Sequence, residues 1–281
     1  MTGRRGSGRT GDITGSAAYE AGGAFLEQVT TPSRPPRSGL AAASGRGPED
    51  LCLIVAIIPA WNEQGAIGHT LARLPRDVVD HVIVMDGGSR DGTVAEARAA
   101  GAEVLVQTRR GYGAACAEGV ARAEALGARV LLFLDGDGAD AAELAERIVG
   151  PVRDGLADFV IATRAARQAG SMSWHQVLAG WAIGALVGGL TGTRFRDMAA
   201  FRAIGVDALR GLGMSEMGFG WNLEMQMRAA SGGLRVRQVD MPYYRRVAGN
   251  SKVAGNLWGT IRASARIVRT VLVLGWQLAR R

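Results

Sequence analysis

The chain has 281 residues, 47% hydrophobic and 21% charged, which excludes a disordered or fibrous protein and is ample for a real core. A formal charge of +7 and 41 glycines point to an anionic partner, whether a phosphate-rich ligand, nucleic acid or an acidic membrane surface. Zinc-finger spacing and an aromatic-rich basic patch are both missing, which argues against nucleic acid, and two isolated cysteines, Cys52 and Cys116, exclude a disulfide framework and fit a reducing cytoplasm.

Residues 1–48 are rich in Gly, Ser, Arg and Pro without periodicity. They read as a disordered basic tail, and lack the charged, apolar and small-residue order of a signal peptide. From Leu51 the pattern changes. Leu51 to Ile58 is a continuous apolar run rich in β-branched residues, as expected of a strand buried on both faces. Ala66, Ile67, Thr70, Leu71 and Leu74 have helical spacing, stopped by Pro75. Strand-like runs follow at His81 to Met85, Glu103 to Val106, Val130 to Leu134 and Phe159 to Ala162. Helices are expected over Thr93 to Ala100 and Gly113 to Leu126, each followed by a glycine suited to a C-terminal cap. This alternation predicts an α/β domain over residues 49–254, with a mainly parallel sheet and helices on both faces.

Val177 to Gly192 is apolar and Gly-rich, slightly short for a membrane span, and reads as a buried or interfacial helix. Residues 255–281 carry an amphipathic helical pattern in which Arg262, Arg266 and Arg269 interrupt the apolar positions. Such a helix can lie on a membrane or pack on the domain. The expected location is the cytoplasm, with peripheral attachment to the inner face of the cell membrane left open.

Ligands of such sheets bind beyond the carboxyl ends of the strands, and the chemistry-bearing residues fall there. Asp135-Gly136-Asp137 closes an apolar strand, and two carboxylates flanking a glycine can hold a hard divalent cation against a diphosphate. Asp140 can complete that shell or cap the next helix. Asp86 to Thr93 closes the second strand with glycines that admit a ligand; Ser89 or Asp91 can cap the next helix, and Asp86 suits a base or ribose. Pro59 to Glu63 ends the first strand, with Asn62 a possible helix cap and Glu63 where a ligand would lie. Arg109 to Gly113 combines cations and glycines suited to a phosphate, and Tyr243 to Lys252 forms a cationic loop able to wrap oxyanions. The three histidines share no spacing, and neither a Gly-x-Ser-x-Gly elbow nor a His-Glu-x-x-His motif occurs.

In this order the motifs resemble those of family 2 glycosyltransferases of GT-A fold, nearest to the dolichyl- or polyprenyl-phosphate sugar synthases. Pro59, Asn62 and Glu63 match Pro-x-x-Asn-Glu, and Asp86 to Thr93 match Asp-x-Gly-Ser-x-Asp-Gly-Thr. Gly111 and Gly113 match a Gly-x-Gly pair, and Asp135 and Asp137 the metal motif. Asp197 with Phe201 and Arg202, then Phe219, Trp221 and Glu224, match two later motifs. Arg246, Gly249, Ser251 and Lys252 match a final Arg-x-Gly-x-Ser-Lys segment with one residue inserted. The resemblance implies that Glu63 and Asp86 contact the nucleotide and that Asp135 and Asp137 bind Mg²⁺ or Mn²⁺. Arg164 is placed by it near the diphosphate, and Arg246, Ser251 and Lys252 near donor or acceptor phosphates.

The reaction so implied is inverting transfer of a hexose from a nucleoside-diphosphate sugar to an acceptor, with polyprenyl phosphate first among acceptors. A phosphate oxyanion needs no general base, whereas a hydroxyl acceptor does, with Asp197 or Glu224 as candidates. The alternatives are a transferase acting on a hydroxyl of a soluble metabolite, lipid or cell-wall glycan, and a nucleotidyltransferase.

Overall fold

The computed structural model describes residues 52–167, 171, 174–248 and 275. The expected tail over 1–48, the expected helix over 255–281 apart from Gly275, and the site candidates Ser251 and Lys252 lie outside the described residues. The strands are β1 (Ile54–Ala60), β2 (His81–Asp86), β3 (Glu103–Val106), β4 (Val130–Phe133), β5 (Phe159–Arg167), β6 (Arg202–Gly205) and β7 (Val236–Tyr243). The helices are α1 (Ile67–Arg73), α2 (Thr93–Ala99), α3 (Tyr112–Ala125), α4 (Ala145–Arg153), α5 (Trp174–Thr191), α6 (Val206–Leu212) and α7 (Trp221–Ser231).

The strands form one sheet in the order β3-β2-β1-β4-β6-β5-β7. Pairing is parallel throughout except at β6, which runs antiparallel to both β4 and β5. The expected mainly parallel sheet is therefore present. β1 shows why its sequence is apolar without alternation. Ile54, Ala56 and Ile58 enter one core with residues of α1, α2 and α4, while Val55 and Ile57 enter a second core with residues of α3, α6 and α7. A strand covered on both faces has no polar side to declare.

Some boundaries differ from expectation. β1 begins at Ile54 rather than Leu51 and continues through Pro59. Pro59 lies past Ile57, the last residue that β4 pairs with, so its missing N–H breaks no β1–β4 pair. β5 runs on from Ala162 to Arg167. Neither β6 nor β7 announces itself by periodicity, because β6 is four residues long and β7 is a half-exposed edge strand carrying charges and Pro242. In α4 the pair Gly150-Pro151 interrupts what would otherwise read as a helix. α5 occupies the expected apolar run. It buries Val187 and leaves Trp181, Leu186 and Leu190 about half exposed. Among the described residues no helix is long and apolar enough to cross a membrane.

One close approach fixes the distance between α3 and the sheet. A Cβ on Gly119 would stand 2.5 Å from Ile57 Cγ2 and 3.2 Å from Met85 Cγ. Alanine for glycine inside a helix ordinarily adds about 1 kcal/mol, but overpacking a filled core costs about 1–3 kcal/mol. Here the obstacle is a β-branched methyl fixed on a central strand, so the second effect wins. Gly119→Ala should lower the urea unfolding midpoint at unchanged slope. A midpoint equal to or above the parent's would show that α3 can move off β1 freely.

Candidate functional site

The site is built from loops at the carboxyl ends of β1, β2, β4 and β5. The first two loops are laced together, mostly through side chains of one capping the amides of the other. Asn62 N donates to Ser89 Oγ at 2.8 Å, Glu63 N to Thr93 Oγ1 at 2.8 Å, and Gln64 N to Asp91 Oδ2 at 3.3 Å. In the other direction, Arg90 N donates to Asn62 Oδ1 and Gly92 N to Gln64 Oε1. Asn62 therefore caps no helix; it bridges the loops in a left-handed conformation, φ 51°. Asp91 does take the Thr93 amide, at the start of α2, while Ser89 is spent on the first loop. Burial works to raise the Asp91 carboxyl, but its bonds to the Thr93 hydroxyl and amide outweigh it and hold the group low. Asp86, 2% exposed, accepts the amides of Gly88 and Ser89 at 3.0 Å each, which folds its own turn.

Opposite this pair lies the acidic loop after β4. Asp137 is buried, with Oδ1 accepting the Ala139 amide at 2.9 Å and Oδ2 in an ion pair with Arg246 at 2.8 Å. Asp140, also buried, accepts the Asp135 amide at 3.2 Å. Burial, and after it repulsion from Asp137, pushes the Asp135 carboxyl up to about 7 despite Arg246 and Arg164 nearby. Burial with Asp135 and Asp137 pushes Asp140 up to about 8. Glu63, 8% exposed, adds further negative charge to Asp135. Among the described residues no three His, Cys, Asp or Glu side chains converge to hold a metal ion. Of the three carboxylates expected to form a shell, Asp140 closes the loop by its bond to the Asp135 amide, beside the acidic pair Asp135 and Asp137.

Arg164, on β5, reaches the same space. Its Nε donates to Asp197 Oδ2 at 2.8 Å, its Nη2 pairs with Asp197 Oδ1, and its guanidinium stands 5.0 Å from the centre of the Tyr243 ring. The Arg164 and Met198 amides also donate to Asp197. Burial raises the Asp197 carboxyl less than Arg164 and these amides lower it, so the net direction is down. A committed, low-lying carboxylate is a poor proton acceptor. Asp197, the candidate base for a hydroxyl acceptor, is thus engaged with Arg164.

The other candidate base for a hydroxyl acceptor, Glu224, is likewise engaged. It is fully buried and receives the Ser215 amide at 2.9 Å, the Ser215 hydroxyl at 2.7 Å, the Glu216 amide at 2.6 Å and Arg228 Nε at 2.8 Å. Burial tends to raise its pKa, and these donors together bring it below the usual value. It is the anchor of the loop before α7. That loop explains Gly111 and Gly113 too. The Gly113 and Ala114 amides, at the start of α3, donate to Gly218 O and Met217 O. A Cβ on Gly113 would lie 2.5 Å from Glu216 O, and one on Gly111, at φ 136°, closer still to Met217 O. The glycines admit this chain's own backbone at the place where a phosphate cradle was expected.

Comparison with known proteins now decides the family. The model of the family described as "Glycosyl transferase family 2" matches residues 55–209. The chain belongs to this family. An uncharacterized glycosyltransferase of Mycobacterium tuberculosis is 33% identical over 216 residues, covering 75% of this chain and 94% of the relative. Undecaprenyl-phosphate mannosyltransferase of Micrococcus luteus is 31% identical over 238 residues, covering 80% and 96%. Among solved structures, glucosyl-3-phosphoglycerate synthase of Mycobacterium tuberculosis in complex with Mn²⁺, uridine diphosphate and phosphoglyceric acid superposes with a TM-score of 0.64. It is 22% identical and covers 79% of this chain and 78% of that one. That likeness shows the GT-A fold. Family membership makes this chain a glycosyltransferase and sets the nucleotidyltransferase reading aside.

Two residues of this family 2 glycosyltransferase were not singled out from their own chemistry. Arg202 is fully buried and donates to the carbonyls of Ala199 and Asn222; a charged residue inside the apolar run Phe201 to Ile204 was the signal. Tyr243, whose ring lies beside Arg164, could be found only from the β5–β7 register.

The roles given to Glu224 have separable consequences. As an anchor, Glu224→Gln should cost about 1–3 kcal/mol in urea unfolding at neutral pH, because buried donors lose a charged acceptor. A carboxyl whose folded pKa is depressed stabilises above its unfolded value, ordinarily 4.5, and that stabilisation is lost as pH falls through the folded value. The stability gap between parent and Glu224→Gln should therefore narrow as pH drops below about 4.5. A gap absent at neutral pH, or one that widens in acid, would contradict the anchoring role.

Proposed function

We propose that this glycosyltransferase moves a hexose, with inversion, from a nucleoside-diphosphate sugar to the phosphate of a polyprenyl phosphate, using Mg²⁺ or Mn²⁺. The observation that carries the reading is the commitment of Asp197 and Glu224, the two carboxylates considered as bases for a hydroxyl acceptor, to partners within the chain. Asp197 is held by Arg164 and two amides, and Glu224 by the 215–216 loop. A hydroxyl nucleophile must give up a proton to some base. A phosphate oxyanion is ready as it stands, and one of its oxygens bonds to the anomeric carbon as the bond to the diphosphate breaks. The likeness to an undecaprenyl-phosphate mannosyltransferase supports this acceptor class, and the Mn²⁺ and uridine diphosphate bound by a fold relative support the donor and the metal.

The residues fit such an ion. Asp135 and Asp137 offer hard carboxylate oxygens, and the upward shift of Asp135 marks a place short of positive charge. Magnesium-like ions are commonly held by one or two carboxylates with water and substrate phosphates, so no third side chain is required. A bound divalent ion would neutralise the charge growing on the diphosphate as it leaves. Arg164, oriented by Asp197 and the Tyr243 ring, would meet a phosphate through the guanidinium N–H groups that Asp197 leaves over. Glu63 and Asp86, at the ends of adjacent strands, face the nucleotide; Asp86 keeps acceptor capacity beyond its two loop amides. Trp181, Leu186 and Leu190 on α5, with Arg194 lying 5.8 Å from the Trp181 ring centre, supply an apolar face with a neighbouring cation for a lipid surface. That surface would be the inner face of the cell membrane.

The test is a transfer assay with a panel of nucleotide sugars and Mn²⁺, offering undecaprenyl phosphate, undecaprenol and soluble hydroxyl acceptors side by side. Product should form on the phosphate alone. It should fall by about 10²-fold or more with EDTA or in Asp137→Asn. Efficient transfer to a soluble hydroxyl, with the lipid phosphate ignored, would put the hydroxyl-acceptor reaction in its place.

A further inference from the structure

The chain does not leave the sheet at the end of β7. Tyr243 bridges antiparallel to Asp140, Tyr244 N donates to Ala139 O at 2.8 Å, and Val247 N donates to Asp137 O at 3.1 Å. Residues 243–247 thus form a strap laid across the acidic loop. Gly138, at φ 77°, keeps the contact close: a Cβ there would stand 2.6 Å from Val247 Cγ2. Between the strap's two main-chain bonds sits Arg246. Its side chain is about one-third exposed, and its Nη2 meets Oδ2 of Asp137, a carboxylate only 3% exposed.

We infer that Arg246 is a built-in stand-in for the divalent cation: it holds Asp137 in the ligand-free enzyme, then yields that carboxylate to the metal and turns to the diphosphate. The inference rests on the proposed reading of Asp137 as a metal ligand. A buried carboxylate is costly without a positive partner, and Arg246 supplies one when no ion is present. The closest approach is a nitrogen–oxygen pair at 2.8 Å without hydrogen-bond geometry, so exchange breaks an ion pair and not a hydrogen-bonded fork. Exchange also leaves the strap in place. Its main-chain bonds end on the carbonyls of Asp137 and Ala139, and Asp137 Oδ1 keeps the Ala139 amide. A released guanidinium is repelled by the incoming ion and attracted by the diphosphate, whose paired oxygens suit its fork. Metal and donor would accordingly bind with positive coupling, since the diphosphate occupies the competitor of the metal.

Binding of Mn²⁺ alone, followed by the loss of the free-ion signal in electron paramagnetic resonance, separates the outcomes. Arg246→Gln and Arg246→Met should each bind Mn²⁺ about tenfold more tightly than the parent, the scale of one partly buried ion pair removed from competition. Arg246→Lys should stay near the parent value. Added uridine diphosphate should strengthen Mn²⁺ binding more in the parent than in the two neutral variants. Unchanged or weaker Mn²⁺ binding in both neutral variants, with a parent site that Asp137→Asn abolishes, would overturn the stand-in role alone. A parent that binds no Mn²⁺ with or without uridine diphosphate, or that binds it equally after Asp137→Asn, would overturn the metal reading and the stand-in with it.

Discussion

Glu63, Asp135, Asp137 and Asp140 are gathered at the carboxyl ends of β1 and β4 with little water to solvate them, and much of the surrounding structure answers their repulsion. Three arginines approach from the other half of the sheet. Arg164 comes from β5, steadied by Asp197 and by Tyr243; Arg246 comes from the strap after β7. Arg202 lies beneath, fully buried, with burial lowering its pKa to about 10 while Asp135 is among the groups sustaining its charge. A buried guanidinium held by carbonyl oxygens would be expensive in an apolar core. Here it sits in the field of buried carboxylates, so each side lowers the cost of burying the other. Arg202 also joins two segments, since it donates to Ala199 before β6 and to Asn222 in α7.

Around that charged centre, the loops are made rigid by the chain's own groups. Asn62, Ser89, Asp91 and Thr93 are spent lacing the β1 and β2 loops. Glu224 closes the 215–216 loop, and that loop's carbonyls in turn cap the start of α3. Groups committed in this way are spent on the chain itself. They hold Glu63, Asp135 and Arg164 in fixed relation before any ligand arrives, which limits the reorganisation left for the reaction.

This division explains what the sequence could and could not reveal. β1, β2 and β4 were legible because each is an apolar run soon followed by Asn, Gly or Asp, and the acidic pair after β4 stood out for the same reason. β6 and β7 were not, because one is four residues long with an arginine in it and the other is a half-exposed edge. At the site, residue type was a good guide to location and a poor guide to role. Gly111 and Gly113 look the same in sequence whether they admit a phosphate or the carbonyls of Glu216 and Met217. Asp197 and Glu224 show nothing in sequence of the partners that hold them. Such partners lie far along the chain, Arg164 being thirty-three residues from Asp197, and periodicity carries no information at that range.

The sheet itself separates two tasks. Successive strands run outward from β1 through β2 to β3, while β4 begins on the opposite side of β1, and the crevice of such a sheet forms where the order reverses. The β1–β2 side presents Glu63 and Asp86, acceptors suited to a nucleotide. The other side presents the acidic pair, Arg164 and Arg246, suited to phosphates. Under the proposed reaction the diphosphate lies across the reversal and the acceptor enters from the β5–β7 side. A phosphoglycerate-using enzyme shares this fold at a TM-score of 0.64, so the fold does not choose the acceptor. The family match ends at residue 209, before β7 and the strap, the segments that bring Tyr243 and Arg246 to the site. Under that reaction β7 and its strap, with the exposed face of α5, are the elements left to select the acceptor.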